Sequence, residues 1–363
     1  MPELMEKVEE DAVPDSPFLP ADTVRLTADA VDQSKVEAFE IFIRAGVHAS
    51  QGSRTYMEDA VTVEEDISSF LRREQAEVVG SCSYFGVYDG HGGTESAEFV
   101  RDRLLPNIIS QESFPEAIGK SMHDAFLQTD AQLRDTEGVK SDNDFSGTTA
   151  IAIFLSESTL HIANCGDSRV VMSSRGKAIA LSSDHKPTMP EETSRIKAAR
   201  GFIEDGYLNG QLGTGRALGN WYMDLKDDSP DGTPGPLTAR PDTSSRDVCE
   251  GDEFLLIACD GLWDVFSNQN AVEYARQQLR VHNDPQTCSE ELVKEALRRN
   301  STDNISVVTV CFSKDPPPKR EFKDERPASF RRTLSQESLS SLHRALSKES
   351  ISSLMKPLDL SES

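Results

Sequence analysis

Between residues 41 and 312 short apolar runs alternate with polar, turn-rich stretches. The runs YFGVYDG (84–90), TAIAIFL (149–155), LHIANCG (160–166), VVM (170–172), EFLLIACDG (253–261) and NISVVTVCF (304–312) are dense in Val, Ile, Phe and Tyr. They are bounded mostly by Asp, Gly or Asn, which predicts strands ended by turns. A further strand-like run, EIFIRAGVHA (40–49), precedes them. Other stretches repeat their apolar residues near i, i+3 and i+4, the spacing of one helix face. These are TESAEFVRDRLLPNI (94–108), AIGKSMHDAFLQTDAQLRD (117–135), PEETSRIKAAR (190–200), NQNAVEYARQQLRVH (268–282) and SEELVKEALRRN (289–300). Pro190 marks one helix start, and Asn268 and Ser289 are the expected caps of the last two. The strands come in clusters and not in strict alternation with helices. That predicts an α+β domain with mixed or antiparallel sheets, and argues against a dinucleotide-binding parallel sheet.

The pattern fades at both ends. Residues 1–40 carry 11 acids against 3 bases, with Pro14, Pro17 and Pro20 breaking any early helix, and read as a solvated leader. After Phe312 come KDPPPKREFKDERP and a Ser-rich tail in which LSQESLSSLHRA (334–345) is echoed by LSKESISSLMKP (346–357). The reading is three segments: leader 1–40, domain 41–312, and a tail 313–363 expected to be disordered. The rough helical stripe of the repeat offers a docking helix for a partner as the alternative. Arg326-x-x-Ser329, Arg332-x-x-Ser335 and Arg344-x-x-Ser347 are patterns a basophilic kinase could use to regulate it.

Charge narrows the partners. The 62 acids against 38 bases leave −24, a field that repels nucleic acid and anionic lipid and suits cations or basic peptides. No apolar run approaches the ~18 residues of a membrane span. The six cysteines show no CxxC spacing and mostly sit in apolar runs, as reduced core residues do. With an N-terminus lacking the apolar core of a secretory signal, the expectation is a monomer of the cytoplasm, the nucleus or both.

The candidate chemistry lies in where aspartates fall. Asp89 closes one strand and Asp260 another, Asp167 follows a third, and Asp303 opens a fourth. A single aspartate at a strand end is usually a turn residue. Several converging carboxylates repel one another unless a hard cation neutralises them, and oxygen-only ligands favour magnesium or manganese over zinc.

These residues belong to an ordered set: RTYMED (54–59), DGHGG (89–93), SGTTA (146–150), NCGDSR (164–169), DHKP (184–187), GRALGN (215–220), CDGLWD (259–264) and STDNIS (301–306). The set resembles the metal-dependent protein phosphatases of type 2C, most closely plant-type members, over about 46–312. The resemblance implies a four-layer αββα fold, a central antiparallel β-sandwich flanked by helices with a dinuclear metal site at one edge. It also implies hydrolysis of phosphoserine and phosphothreonine by in-line attack of a metal-bridging hydroxide, without a phosphoenzyme. Asp89 would bridge two Mg2+ or Mn2+ ions, Gly90 would offer its carbonyl to one, and Asp260 and Asp303 would hold the other. Glu58 would reach an ion through water, and Asp59 would order water beside it. Arg54 would bind the substrate phosphate, and His91 would protonate the departing oxygen. Asp167 and Asp264 would supply a weaker third ion site. Thr148 and Thr149 are expected to pack or to bond neighbouring groups, without touching substrate.

Two features depart from the family pattern. Asn220 stands where a common form has Asp, and Gly213-Thr214-Gly215 precedes Arg216. The two glycines predict a loose flap over 188–220. Two other functions are the alternatives: an inactive scaffold, which would lack a metal-binding Asp or the phosphate Arg, and a phosphatase of small metabolites.

Overall fold

Strands with apolar side chains at successive positions have no face left for solvent, so they must be covered on both sides. In Cys82–Tyr88 and Ile305–Cys311 every residue is buried. The computed structural model describes residues 41–136, 146–223 and 235–319; the leader and the Ser-rich repeat of the tail lie outside them. It contains two antiparallel five-stranded sheets. The first runs Arg44–Ser50, Ile305–Cys311, Asp252–Ala258, Arg169–Ser174, Lys177–Ala180. The second runs Asp242–Asp247, Thr159–Cys165, Ala150–Ser156, Cys82–Tyr88, Ala60–Glu64.

Alternation along each strand decides which layer a side chain joins. Phe85, Val87, Ile151, Ile153, Leu255, Ile257, Val308 and Val310 form the core between the sheets. Their neighbours Tyr84, Tyr88 and Phe154 face outward onto Val100, Leu104, Met122 and Phe126 of the helices Glu95–Ser110 and Ile118–Asp135. Phe254, Leu256 and Val307 do the same on the other side, against Val272, Leu279, Leu292 and Val293 of Asn268–His282 and Pro285–Arg298. The result is the four-layer αββα sandwich that the resemblance implies. Each fully buried Leu, Ile or Phe in these layers contributes about 1.5–3 kcal/mol relative to exposure.

Both expected caps differ. Asn268 is the first helical residue, and the cap is Ser267, whose Oγ accepts from Asn270 N; Asn268 Oδ1 instead accepts from Arg169 Nη1 at 2.7 Å. The final helix begins at Pro285, four residues earlier than the periodicity suggests, with the Asp284 carboxylate accepting from the Gln286 and Thr287 amides. Ser289 is buried inside this helix and donates to the Gly46 carbonyl at 2.9 Å. Gln286 also protects an edge: its amide accepts from Val47 N and donates to Val47 O, satisfying backbone groups of the outermost strand.

Residues 313–319 continue along the domain. Arg44 Nε donates to Ser313 O, Asn283 Nδ2 to Lys314 O, and Arg276 Nη2 to Pro318 O. The residues from the edge strand Lys177–Ala180 up to 223 form a separate flap. It holds the helix Pro190–Ala198, a hairpin of Ile203–Glu204 and Tyr207–Leu208, and the short strand Leu218–Gly219. That strand pairs with Gly147–Thr148, which pairs in turn with Gly90–His91.

Candidate active site

Antiparallel register brings the aspartates together at one rim. Ala60 pairs with Tyr88, so Asp59 and Asp89, the next residues outward on their strands, become neighbours. Ala258 pairs with Val307, which places Asp260 and Asp303 side by side just beyond the ends of their strands. Asp167 sits in the turn between Thr159–Cys165 and Arg169–Ser174 at the same rim. Arg54, Asp89, Gly90, His91 and Asp303 line a cleft of about 470 Å³, with Asp167, Asp260 and Asp264. Glu58 and Asp59 are not among its lining residues, although Asp59 neighbours Asp89. Eight of the ten predicted site residues thus line the cleft.

Burial and mutual repulsion hold four of the carboxyls well away from their ordinary behaviour. Burial pushes Asp89 far above the usual carboxylate range, with Asp59, Asp260, Asp167 and Asp303 adding to the shift. Asp260 rises to about 6, from burial and then Asp264 and Asp303. Asp167 rises to about 7, from burial and Asp260, with Lys186 opposing. Asp59 rises to about 6, chiefly from burial. Ser306 and Cys259 lie near enough to favour its charge slightly, yet neither oxygen of Asp59 has a hydrogen-bond partner, and both are closed to solvent. A ligand atom of Asp59, one of Asp89 and the Cys259 sulfur all lie within 4.8 Å of one another.

An unpartnered buried carboxylate beside others is costly, and a divalent cation is what relieves it. The donors are carboxylate oxygens and the Gly90 carbonyl, the hard set that magnesium and manganese take. Gly90 itself admits no side chain: a Cβ there would lie 2.2 Å from the Glu58 carbonyl. The residues fit the ions that the resemblance implies.

The remaining site residues are held from a distance. Arg54 Nη2 meets Asp303 Oδ2 at 2.6 Å and is half exposed at the mouth. Glu58 Oε1 accepts from Gly93 N at 2.7 Å. Thr149 N donates to the Asp89 carbonyl at 2.9 Å, with the Thr148 hydroxyl 3.1 Å away, so both threonines fix that peptide. His91 Nε2 donates to Asn220 Oδ1 at 2.7 Å, and burial lowers the pKa of its ring. Gly147 makes room for this pair: a Cβ there would fall 1.8 Å from Asn220 Oδ1.

Three contributors escape sequence reasoning. Asn220 stood out only as a departure, and its role as the partner of His91 needs the fold. Asn304, inside STDNIS, donates to Gln51 O and Tyr56 O and accepts from Glu58 N at 2.8 Å, so one buried amide shapes the loop that carries Arg54 and Glu58. Lys186, inside DHKP, extends into the cleft with its Nζ 3.8 Å from Asp167 Oδ2 and 3.6 Å from Asp264 Oδ1. The motifs contain all three, but nothing in their spacing tells what their side chains reach.

Comparison with known proteins agrees with the geometry. The family model described as Protein phosphatase 2C matches residues 43–305. Probable protein phosphatase 2C 57 of Oryza sativa subsp. japonica is 47% identical over 282 residues, covering 77% of this chain and 76% of that protein. Probable protein phosphatase 2C 27 of Arabidopsis thaliana is 43% identical over 319 residues, covering 88% and 80% respectively. Among solved structures, the serine-threonine phosphatase 2C from Toxoplasma gondii superposes with a TM-score of 0.61 at 26% identity, over 75% of this chain and 95% of that one. With the fold, the rim of carboxylates and most of the chain's length in agreement, this protein belongs to the protein phosphatase 2C family, the metal-dependent serine/threonine protein phosphatases, and resembles its plant members.

Proposed function

We propose that this protein removes phosphate from phosphoserine and phosphothreonine by direct attack of water, using two Mg2+ or Mn2+ ions held by Asp89, Gly90, Asp260 and Asp303. The observation that carries the reading is the buried, unpartnered carboxylate of Asp59 beside Asp89, with Asp260 and Asp303 close enough to repel it. When bound, the ions supply charge that activates water and shields the phosphoryl oxygens.

The protein's own groups do the rest. Arg54 lies at the mouth, where its planar fork suits two phosphate oxygens. Asp303, its present partner, is then free for a cation. Glu58 and Asp59, beside the cluster, orient water toward it. His91 faces the cleft from the Gly90–His91 strand, and burial, which lowers its pKa, makes it a readier proton donor to the departing oxygen. Exposed Asp205 and Asp264 at the cleft edge, within a domain carrying −18 over 41–312, favour basic segments around the phosphorylated residue. The Ser-rich tail, with its Arg-x-x-Ser sites, is proposed as the regulated or partner-docking part of a protein working in cytoplasm or nucleus.

The test is phosphate release from a phosphothreonine peptide in manganese, in magnesium and in EDTA. Release with either metal, absent in EDTA and lost in Asp89→Asn by at least ~1,000-fold, is expected. A folded protein with full metal occupancy and no release would refute the assignment.

A further inference from the structure

The family resemblance implies a third ion at Asp167 and Asp264, weaker than the other two. In the structure that place already contains a cation belonging to the chain. Lys186 Nζ stands 3.8 Å from Asp167 Oδ2 and 3.6 Å from Asp264 Oδ1, and its side chain is only partly exposed. Both carboxylates face it, and Asp260, also on the cleft wall, is near enough to influence it.

The backbone carrying Lys186 is fixed on both sides. Before it, Asp184 receives both Arg169 Nε and Nη2, at 2.9 and 2.6 Å, and Arg169 lies over the Trp263 ring in the helix that leads to Asp264. Between them His185 is buried: Nδ1 accepts from Gly166 N at 3.0 Å and Nε2 donates to Asp242 at 3.1 Å. Gly166 immediately precedes Asp167. The same contacts that position Asp167 and Asp264 thus set the root of Lys186 beside them. These contacts fix the backbone from which the Lys186 side chain reaches both carboxylates.

We propose that Lys186 is a tethered counter-cation of the Asp167–Asp264 pair, and that any third metal ion must displace its ammonium group. The strength of the third site is then set by the lysine as well as by its carboxylates. Two consequences follow from the electrostatics. Removing the charge strengthens the third site, because a competing positive charge a few ångströms from the ion disappears. Arginine in its place keeps the site weak, since it keeps the charge.

The inference rests on the metal reading of the Asp89 cluster, and the experiment separates the two. Metal-free full-length protein is titrated with Mn2+, with free ion followed by electron paramagnetic resonance and heat by calorimetry, and no substrate is present. Wild type is expected to bind two ions, with the third much weaker. In Lys186→Met the third should tighten at least ~10-fold and the first two much less; Lys186→Gln gives a second reading if the methionine variant folds poorly. Lys186→Arg should resemble wild type, and Asp264→Asn added to Lys186→Met should abolish the gain. Two ions bound in every variant with an unchanged third would overturn the role of Lys186 alone. Binding of no Mn2+ by any variant would overturn both readings.

Discussion

At the scale of single residues, the contact between His91 and Asn220 converts a departure from the family pattern into chemistry. A neutral amide oxygen holds the Nε2 proton, so the imidazolium gains a hydrogen bond but no neighbouring counter-charge from this position, and burial wins: the pKa falls. Replacing Asn220 with Asp would add that charge and raise the pKa. A group that must be protonated to give its proton loses activity as pH rises through its pKa. The alkaline fall of kcat on a phosphothreonine peptide should therefore move upward in Asn220→Asp, while p-nitrophenyl phosphate, whose leaving group needs no proton, should show no such shift. An unmoved profile on the peptide would dismiss His91 as the acid. The aspartates themselves were legible in sequence, because each sits where an apolar run stops and a carboxylate has no local reason to be. Asn220 and Asn304 were not. Their partners stand 129 and 253 positions away, and no local pattern encodes that.

At the scale of elements, legibility followed the amount of apolar surface. Long runs such as Cys82–Tyr88 and Asp252–Ala258 are committed to burial by composition alone, so their strands could be read. The two-residue strands Gly90–His91, Gly147–Thr148 and Leu218–Gly219 exist only because tertiary contacts bring their backbones together. The final helix was placed late because its apolar stripe starts after its cap, Asp284 with Pro285. The flap mixes both cases. Gly215 is not a point of freedom: its N–H donates to His185 O, its carbonyl accepts from Arg195, and a Cβ would meet Glu192 Oε2 at 2.9 Å. Glu192, buried, receives both Arg195 and Arg216 and ties the flap helix to this point. Gly213 has open surroundings, with its nearest atom on Tyr207 3.6 Å from where a Cβ would stand. The looseness expected of the two glycines is thus confined to one end. Amide exchange should be fast at Gly213 and slower at Gly215 and across 208–212, where backbone N–H groups bond nearby carbonyls and Leu208 and Leu212 are buried. Protection at Gly213 equal to that of Cys82–Tyr88 would mean a flap as rigid as the core.

At the scale of the whole molecule, the carboxylate rim sets how stability depends on pH and metal. Without metal, burial and mutual repulsion raise Asp59 and Asp260 to about 6 and Asp167 to about 7, and push Asp89 well above the ordinary value of 3.8. Between about pH 4 and 7 the folded state binds more protons than the unfolded chain, so its stability falls as pH rises through that window. Asp242 and Glu192, lowered by their arginine and histidine partners, act oppositely but below the ordinary carboxylate pKa, where stability is lost as pH falls. His91 and His161, also lowered, favour folding as pH rises toward 6.5, a smaller opposing contribution from two groups against four. The melting temperature of metal-free protein should therefore drop from pH 5 to pH 8. An ion that binds only the folded state adds about 2.7 kcal/mol at a hundredfold excess over Kd, or roughly 5–10 °C for a domain of this size. Protons compete for the same oxygens, so that gain should be large at pH 7.5 and nearly absent at pH 5. In Asp89→Asn the metal-dependent gain should shrink and the pH-dependent fall should become shallower. A metal-free protein whose melting point is level from pH 5 to 8, or one stabilised equally by metal at both, would show that these carboxylates are not the destabilising charge that their burial and proximity imply.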